Sequence, residues 1–390
     1  MPDKAYITPK ILKWARESAR MSVETAASKV TVSVEKLQKW EEGTLQPTIH
    51  QAESLAKAYH RPFALFFFPD IPRDFQPLQD FRRKTARPLG TASVFIIREI
   101  RQKQAWISEV FEENREQKLP FVGAYTVNDS PVEVANDILA TLDIHPSDYI
   151  HDKPIREWIE KAESNGIFIS RTSFIHSRMK LDSNELQGFA ISDPFAPFIF
   201  INSEDWDAPQ LFTLVHELAH IWIAESGISN EIEPETGFDT ERHPVELFCN
   251  EVAANALMPV TIIKSQDKHV FDSAREVYKT AKDLGISSFA LLYRALSLNL
   301  IEAGKYKALK VEAQGDYEEF LSREAERKLK RKEHPGGPSP YLLRVHKNGR
   351  LFTQIVLDAF RGGSVDPAQA SSLLNTQVNN FHKLEAQLYR

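Results

Sequence analysis

A single cysteine, Cys249, stands in this chain of 390 residues. One thiol excludes an intrachain disulfide and any cysteine-built metal site within one chain. A metal bound here therefore takes histidine and carboxylate ligands. Long apolar runs are lacking as well: nothing approaches the roughly 18 to 20 residues that a membrane span needs, so no membrane partner is expected. The N-terminal stretch MPDKAYITPKILKWARES has scattered charges and no apolar core followed by small residues. No secretory signal is therefore expected, and the cytoplasm is the expected compartment. Positive charge is not in excess: 48 Lys+Arg against 54 Asp+Glu give a formal net charge of -6. Such a balance argues against nucleic-acid binding over the whole surface and leaves room only for a local basic patch. What is present is ordinary for a globular protein, 42% hydrophobic and 26% charged residues, in a length that accommodates two or three cores.

The expected class is α+β and mostly α: an N-terminal helix-turn-helix bundle, a central domain with a small β-sheet, and a C-terminal helical region. Residues 9–60 carry four short helical patterns, with Ser22 and Ser33 where N-caps belong and Gly43 where a helix stops. Ala26, Ala27 and Val30 face Val34, Leu37 and Trp40 across a turn at Thr31 and Val32, which is helix-turn-helix spacing. The second helix of that pair offers Ser33, Lys36, Gln38 and Lys39 as candidate DNA contacts, interleaved with Glu35, Glu41 and Glu42. DNA and another helix-turn-helix protein both fit as its partner, and a homodimer is a third use. RPFALFFFPDIP and DFRRKTARP then read as a boundary, and residues 91–118 as one long amphipathic helix.

Beyond residue 150, IREWIEKAESNGIFISRTS reads as helix then strand, and LQGFAISDPFAPFIFIN as two strands about an Asp193-Pro194 turn. Two readings fit that strand pair, an edge offered to an extended peptide and plain sheet core. In the C-terminal part, Arg323 to Lys332 is a mixed-charge run and reads as a solvated helix face. With Arg344, His346, Lys347 and Arg350 it is also a candidate electrostatic site. VDPAQASSLLNTQVNNFHKL reads as two helices round a tight turn. The expected division is 1–70 helix-turn-helix, 71–149 linker and connecting helices, 150–305 the central domain, and 306–390 a C-terminal helical, sensor-like region.

Chemistry concentrates in LVHELAHIW, Leu214 to Trp222. Residues four apart lie on one face of a helix, so His216 and His220 can aim at one ion, with Glu217 beside a metal-bound water as catalytic base. Leu211, Phe212, Val215, Leu218, Ala219 and Ile221 cover nearly every direction round this helix, so its polar residues are buried and must find partners. As core histidines with incomplete partners they would cost about 1 to 3 kcal/mol each. The helix is expected to start at Asp207 as N-cap and to stop at Gly227. A third ligand is sought in the acidic loop Glu231, Glu233, Glu235, Asp239, Glu241, or in the next helix, which opens at Pro244 and closes at Pro259. There Glu246 shares a face with Asn250, an amide placed to steady a ligating histidine, while Glu251 shares a face with Asn255. Spacing does not choose between them. Arg242, His243 and Tyr278 are oxyanion candidates by residue type alone.

VHELAHIW followed by VELFCNEVAANALMP resembles the ImmA/IrrE family of metallopeptidases, where H-E-x-x-H precedes a helix of the form E-x-x-A-N-x-F-A-x-x-L-L-M-P. Cys249, Val252 and Ala256 replace Ala, Phe and Leu of that pattern and stay apolar. The likeness extends to QGFAISD and FIFIN, to GISSFALLYRALSLNLI, and to an N-terminal helix-turn-helix of the XRE/Cro type joined through a DFR segment, Asp80 to Arg82. The resemblance implies a zincin-like endopeptidase with His216, His220 and Glu246 as ligands of Zn2+, although Mn2+ or Fe2+ suits the same donors. It also implies a protein substrate, which in several members is a helix-turn-helix repressor cut at one site. Two other readings stay open: a DNA-binding regulator whose peptidase half is idle or a sensing scaffold, and a toxin-antitoxin or phage-defence component.

Overall fold

A computed structural model describes residues 3–72, 78–81, 88–146, 148–149, 153–176, 179–229, 243–315, 318 and 337–388. The chain divides into two compact units, one of Met1–Pro77, Arg87–Arg101 and Ile175–Lys180, the other of Leu78–Ala86, Gln102–Phe174 and Leu181–Arg390. Among the described residues no helix is long and apolar enough to cross a membrane.

In the first unit α1 (Pro9–Ser18), α2 (Val23–Lys29), α3 (Val34–Glu41) and α4 (Ile49–Ala58) are each set by a local signal. Ser22 and Ser33 accept from the backbone N–H of Thr25 and Lys36, and Thr48 with Gln51 closes a capping box. Between α2 and α3 the chain reverses through Thr31 in the left-handed region, φ 54°. Leu12, Ala15, Ala26, Leu37, Trp40, Leu55 and Phe66 form the fully buried interior. Arg16 on α1 grips Glu41 on α3 with two hydrogen bonds of 2.7 and 3.0 Å. The first half of α5 (Thr91–Glu113) belongs here, where the Arg98 guanidinium donates to the carbonyls of Ser18 and Tyr59. This helix is shorter than its pattern suggested: Arg115 turns left-handed at φ 57° and ends it before 118.

The second unit is built on a five-stranded sheet in the order β1-β7-β5-β6-β2. Its strands are β1 (Gln79–Asp80), β2 (Phe168–Thr172), β5 (Gly188–Ile191), β6 (Phe198–Asn202) and β7 (Gly227–Ser229). A separate pair, β3 (Phe174–His176) and β4 (Met179–Lys180), makes a two-stranded sheet, of which Ile175–Lys180 count with the first unit. β2 runs parallel to β6, β5 antiparallel to both β6 and β7, and β1 parallel to β7. The helix and three strands expected between 154 and 202 are in place, and of the two readings of the strand pair the structure has sheet core. β5 lies between β6 and β7 and β6 between β5 and β2, so neither strand has an open side.

α6 (Pro131–Leu142), α7 (Pro154–Ser164), α8 (Asp207–Trp222) and α9 (Pro244–Leu257) cover one face of this sheet and one another. Every residue of α8 from Gln210 to Trp222 is buried. Its Trp222 stacks on Phe121 at 4.4 Å and donates its indole N–H to Asp137 at 2.7 Å. Two boundaries differ from expectation. Trp206 is the N-cap of α8 and Asp207 its first residue, where a carboxylate still favours the helix dipole. At the other end Ala224 turns left-handed at φ 55°, which frees Gly227 to open β7. α10 (Val260–Ser265), α11 (Ala274–Asp283), α12 (Ser288–Ser297) and the helical residues 303–315 (α13) extend the same core.

The C-terminal helices α14 (Pro340–Asn348), α15 (Arg350–Arg361), α16 (Pro367–Leu374) and α17 (Phe381–Leu388) belong to this unit too. Phe352 meets the rings of Phe168 on β2 and Phe198 on β6, and the Ser170 hydroxyl donates to the Lys347 carbonyl. Arg350 donates to the Leu388 carbonyl, and burial beside Arg171 and Arg350 pushes the His346 imidazole down to about 4. These side chains join elements together; the run Arg323 to Lys332 lies outside the described residues.

Candidate metal centre

The helical repeat turns His216 and His220 to one face of α8, and the packing of α9 across that face brings Glu246 between them. His220 Nε2 lies 3.1 Å from His216 Nε2 and 3.2 Å from Glu246 Oε1, and His216 Nε2 lies 3.4 Å from Glu246 Oε2. Two imidazole nitrogens and a carboxylate are the donor types of zinc sites, with bonds of roughly 2.0 to 2.2 Å. Three ligands on one face of a tetrahedron of that size stand about 3.3 Å apart, which is the spacing of these atoms. The residues fit a divalent ion.

The surroundings fit it as well. The Asn250 side-chain oxygen accepts from His216 Nδ1 at 3.0 Å, which leaves the lone pair of Nε2 facing inward. Burial raises the Glu246 carboxyl, but the imidazoles of His216 and His220 outweigh it and hold the group at about 2. Burial in turn holds His220 below the usual histidine range. A neutral imidazole beside an ionised carboxylate is the state a metal requires. Glu217 differs: burial and the Glu246 charge push its carboxyl well up, with the Ser229 hydroxyl opposing them only weakly, and neither oxygen makes a well-formed hydrogen bond among the described residues. His220 Nδ1 is likewise buried without one. Orphaned buried polar atoms of this kind are rare in a purely structural core.

Of the alternatives left by spacing, Glu251 is exposed, with Asn255 bonded to its carbonyl, and does not join the histidines. His243 is the N-cap of α9, its Nδ1 accepting from Val245. Tyr278 is 57% exposed on α11, and no described contact links it to the histidines. Arg242 and the acidic loop Glu231, Glu233, Glu235, Asp239 and Glu241 lie outside the described residues. Cys249 is buried behind the site, where burial pushes its thiol far up and makes it inert.

Three neighbours escape any local pattern. Ser229 on β7 donates to Glu246 Oε1 at 3.3 Å. Phe81, just after β1, stacks on His220 at 5.3 Å. Gly188 on β5 clears room for the catalytic-base candidate: a Cβ there would stand 2.8 Å from Glu217 Oε1. The family likeness touched two of them, Gly188 in QGFAISD and Phe81 in the DFR segment, and carried no chemical signal for either.

On α3, the Ser33 hydroxyl caps the helix, the Lys36 ammonium lies 5.5 Å from the Trp40 ring, and Lys39 pairs with Glu35 at 2.8 Å. Gln38 is exposed.

Residues 162–296 match the family described as the IrrE N-terminal-like domain, and residues 12–66 match the helix-turn-helix family. The radiation response metalloprotease IrrE of Deinococcus deserti is 28% identical over 102 residues, 26% of this chain and 36% of that protein. The similarity thus spans about a third of that relative's length.

Proposed function

For a chain whose residues 162–296 match the IrrE N-terminal-like domain and whose residues 12–66 match a helix-turn-helix family, we propose a zinc-dependent endopeptidase that cuts one specific protein, a helix-turn-helix repressor. The observation that carries this reading is the convergence of His216, His220 and Glu246 beside the buried carboxylate of Glu217. A bound ion would supply Lewis acidity and a water of lowered pKa. Everything else falls to the chain. Asn250 orients His216, and Glu246, kept ionised, balances the charge of what the histidines hold. Glu217, on the next helical position, takes the water's proton and returns it to the departing amide nitrogen. Its raised proton affinity suits the second of these steps, and Gly188 gives its carboxylate room to move between them.

The experiment is a comparison of cellular proteomes with the native chain and with Glu217→Gln. We expect the variant to retain its metal by mass spectrometry and to lose cleavage by about 10²- to 10⁴-fold, the usual worth of a general acid-base. One protein lost with the native chain, with its fragments gained, identifies the substrate; retained proteolysis in the variant sinks the assignment.

For the N-terminal module we propose docking through α3 on DNA, with Gln38 directed at base edges and Lys36 at phosphate. The Lys39–Glu35 pair withdraws one cation from phosphate, so binding should be weak and its salt dependence shallow. A gel shift at low salt checks this; absence of any complex there transfers the module to a protein partner.

A further inference from the structure

A peptidase site has to admit a polypeptide, and this one is covered by the protein's own chain. His216, Glu217, His220 and Ser229 have no exposed surface, and Glu246 has 5%. Part of the cover is β1, a two-residue strand on the outer side of β7, paired as Gln79↔Gly227 and Asp80↔Ile228. Phe81 continues it, with its N–H donating to the Ile228 carbonyl at 3.1 Å. The Phe81 ring lies nearly parallel to that of His220, 14° apart at 5.3 Å, and 5.0 Å from His243. Opposite it stands Gly227, where a Cβ would come within 2.0 Å of the ring. The position is therefore shaped for one large flat side chain, 2% exposed, delivered by an extended backbone.

This contact is short in sequence and shallow in pairing. Gln79 and Asp80 are exposed, and only the Phe81 side chain is buried. A competing extended segment would re-form the same backbone bonds along β7 and needs only to bring its own apolar group to the space over His220. Strand addition works in this way, with main-chain bonds giving affinity and pockets for alternate side chains giving selectivity. A polar side chain in that space would lose its water without gaining a partner.

We propose that the outer edge of β7 is the peptide-binding cleft of this protein and that Gln79–Phe81 occupies it as a built-in stand-in for substrate. The segment that displaces it is extended and carries an aromatic or other large apolar residue at the Phe81 position. The inference rests on the peptidase reading for what enters the cleft, while the occlusion belongs to the fold itself.

The test uses the full chain loaded with zinc, one ion per chain by mass spectrometry, and two blocked peptide hydroxamates that differ only in carrying phenylalanine or serine. Calorimetry should find that Phe81→Ala binds the phenylalanine compound at least tenfold more tightly than the native chain does, and prefers it to the serine compound by a similar factor. On the native chain, saturation with the phenylalanine compound should raise hydrogen exchange at the Phe81 amide while the β5 amides stay protected, a measurement that needs no variant to fold. Unchanged affinity and preference in Phe81→Ala, or binding that leaves the Phe81 amide protected, overturns the proposal alone. Failure of the native chain to take up any metal overturns the peptidase reading and this inference with it.

Discussion

The Asn250 amide oxygen accepts from His216 Nδ1 across 3.0 Å, joining α9 to α8 inside the site. The bond selects the tautomer whose Nε2 faces inward and pins the ring. Asn250→Ala should therefore lower zinc affinity by about 10- to 100-fold, the usual effect of losing such a partner. Competition against a chromogenic chelator measures it, with circular dichroism confirming an intact fold.

With Glu246 proposed as the ligand from a second helix, metal binding should tie α9 to α8 and stabilise the fold. Zinc at about 100 times its dissociation constant is expected to raise the unfolding free energy by about 2.7 kcal/mol. Glu246→Ala should abolish the response, because two histidines on one turn hold the ion poorly. Denaturant titrations with and without zinc decide the matter.

Glu163 at the end of α7 gives the second unit a pH dependence remote from the metal. Burial pushes its carboxyl from 4.5 up to about 7, against the N–H groups of Leu351 and Arg350 that it accepts from. A raised carboxyl binds its proton more tightly in the folded state, so its contribution is complete below about pH 4.5 and is lost as pH rises to about 7. At about 1.4 kcal/mol per pH unit the loss totals roughly 3 kcal/mol. Glu163→Gln should flatten that slope in urea titrations across the window; an unchanged slope would refute the assignment.

In the helix-turn-helix unit, Arg16 and Glu41 keep side-chain exposures of 10% and 7%. Removing one partner from such a pair leaves a buried charge alone. Arg16→Ala should cost about 3 to 5 kcal/mol, whereas breaking the exposed, solvent-screened pair Lys39 and Glu35 should change stability little. Thermal unfolding of the two alanine variants, followed at the first unit, tests the contrast.

Much of the fold was legible in local patterns because its signals are local. Ser22, Ser33 and Thr48 bond to backbone three residues away, and the strands at 168–172, 188–191 and 198–202 are apolar runs bounded by turns. β1 and β7 escaped notice because two or three residues carry no period and are strands only through their partners. The start and stop of α8 shifted for a related reason: capping by Trp206 and the left-handed turn at Ala224 are tolerated because packing on the sheet holds both ends.

The sequence by itself determined that His216, Glu217 and His220 share one turn of a buried helix, since a repeat of 3.6 residues allows nothing else. It also supplied a short list for the third ligand. Spacing left Glu246 and Glu251 open and the family likeness pointed to Glu246; the tertiary structure sets Glu246 against the histidines, because that depends on which face of α9 meets α8. Only it set Phe81, 139 positions before His220 in the chain, against that imidazole. Contacts between distant segments are fixed by how whole elements pack, and no local spacing encodes them.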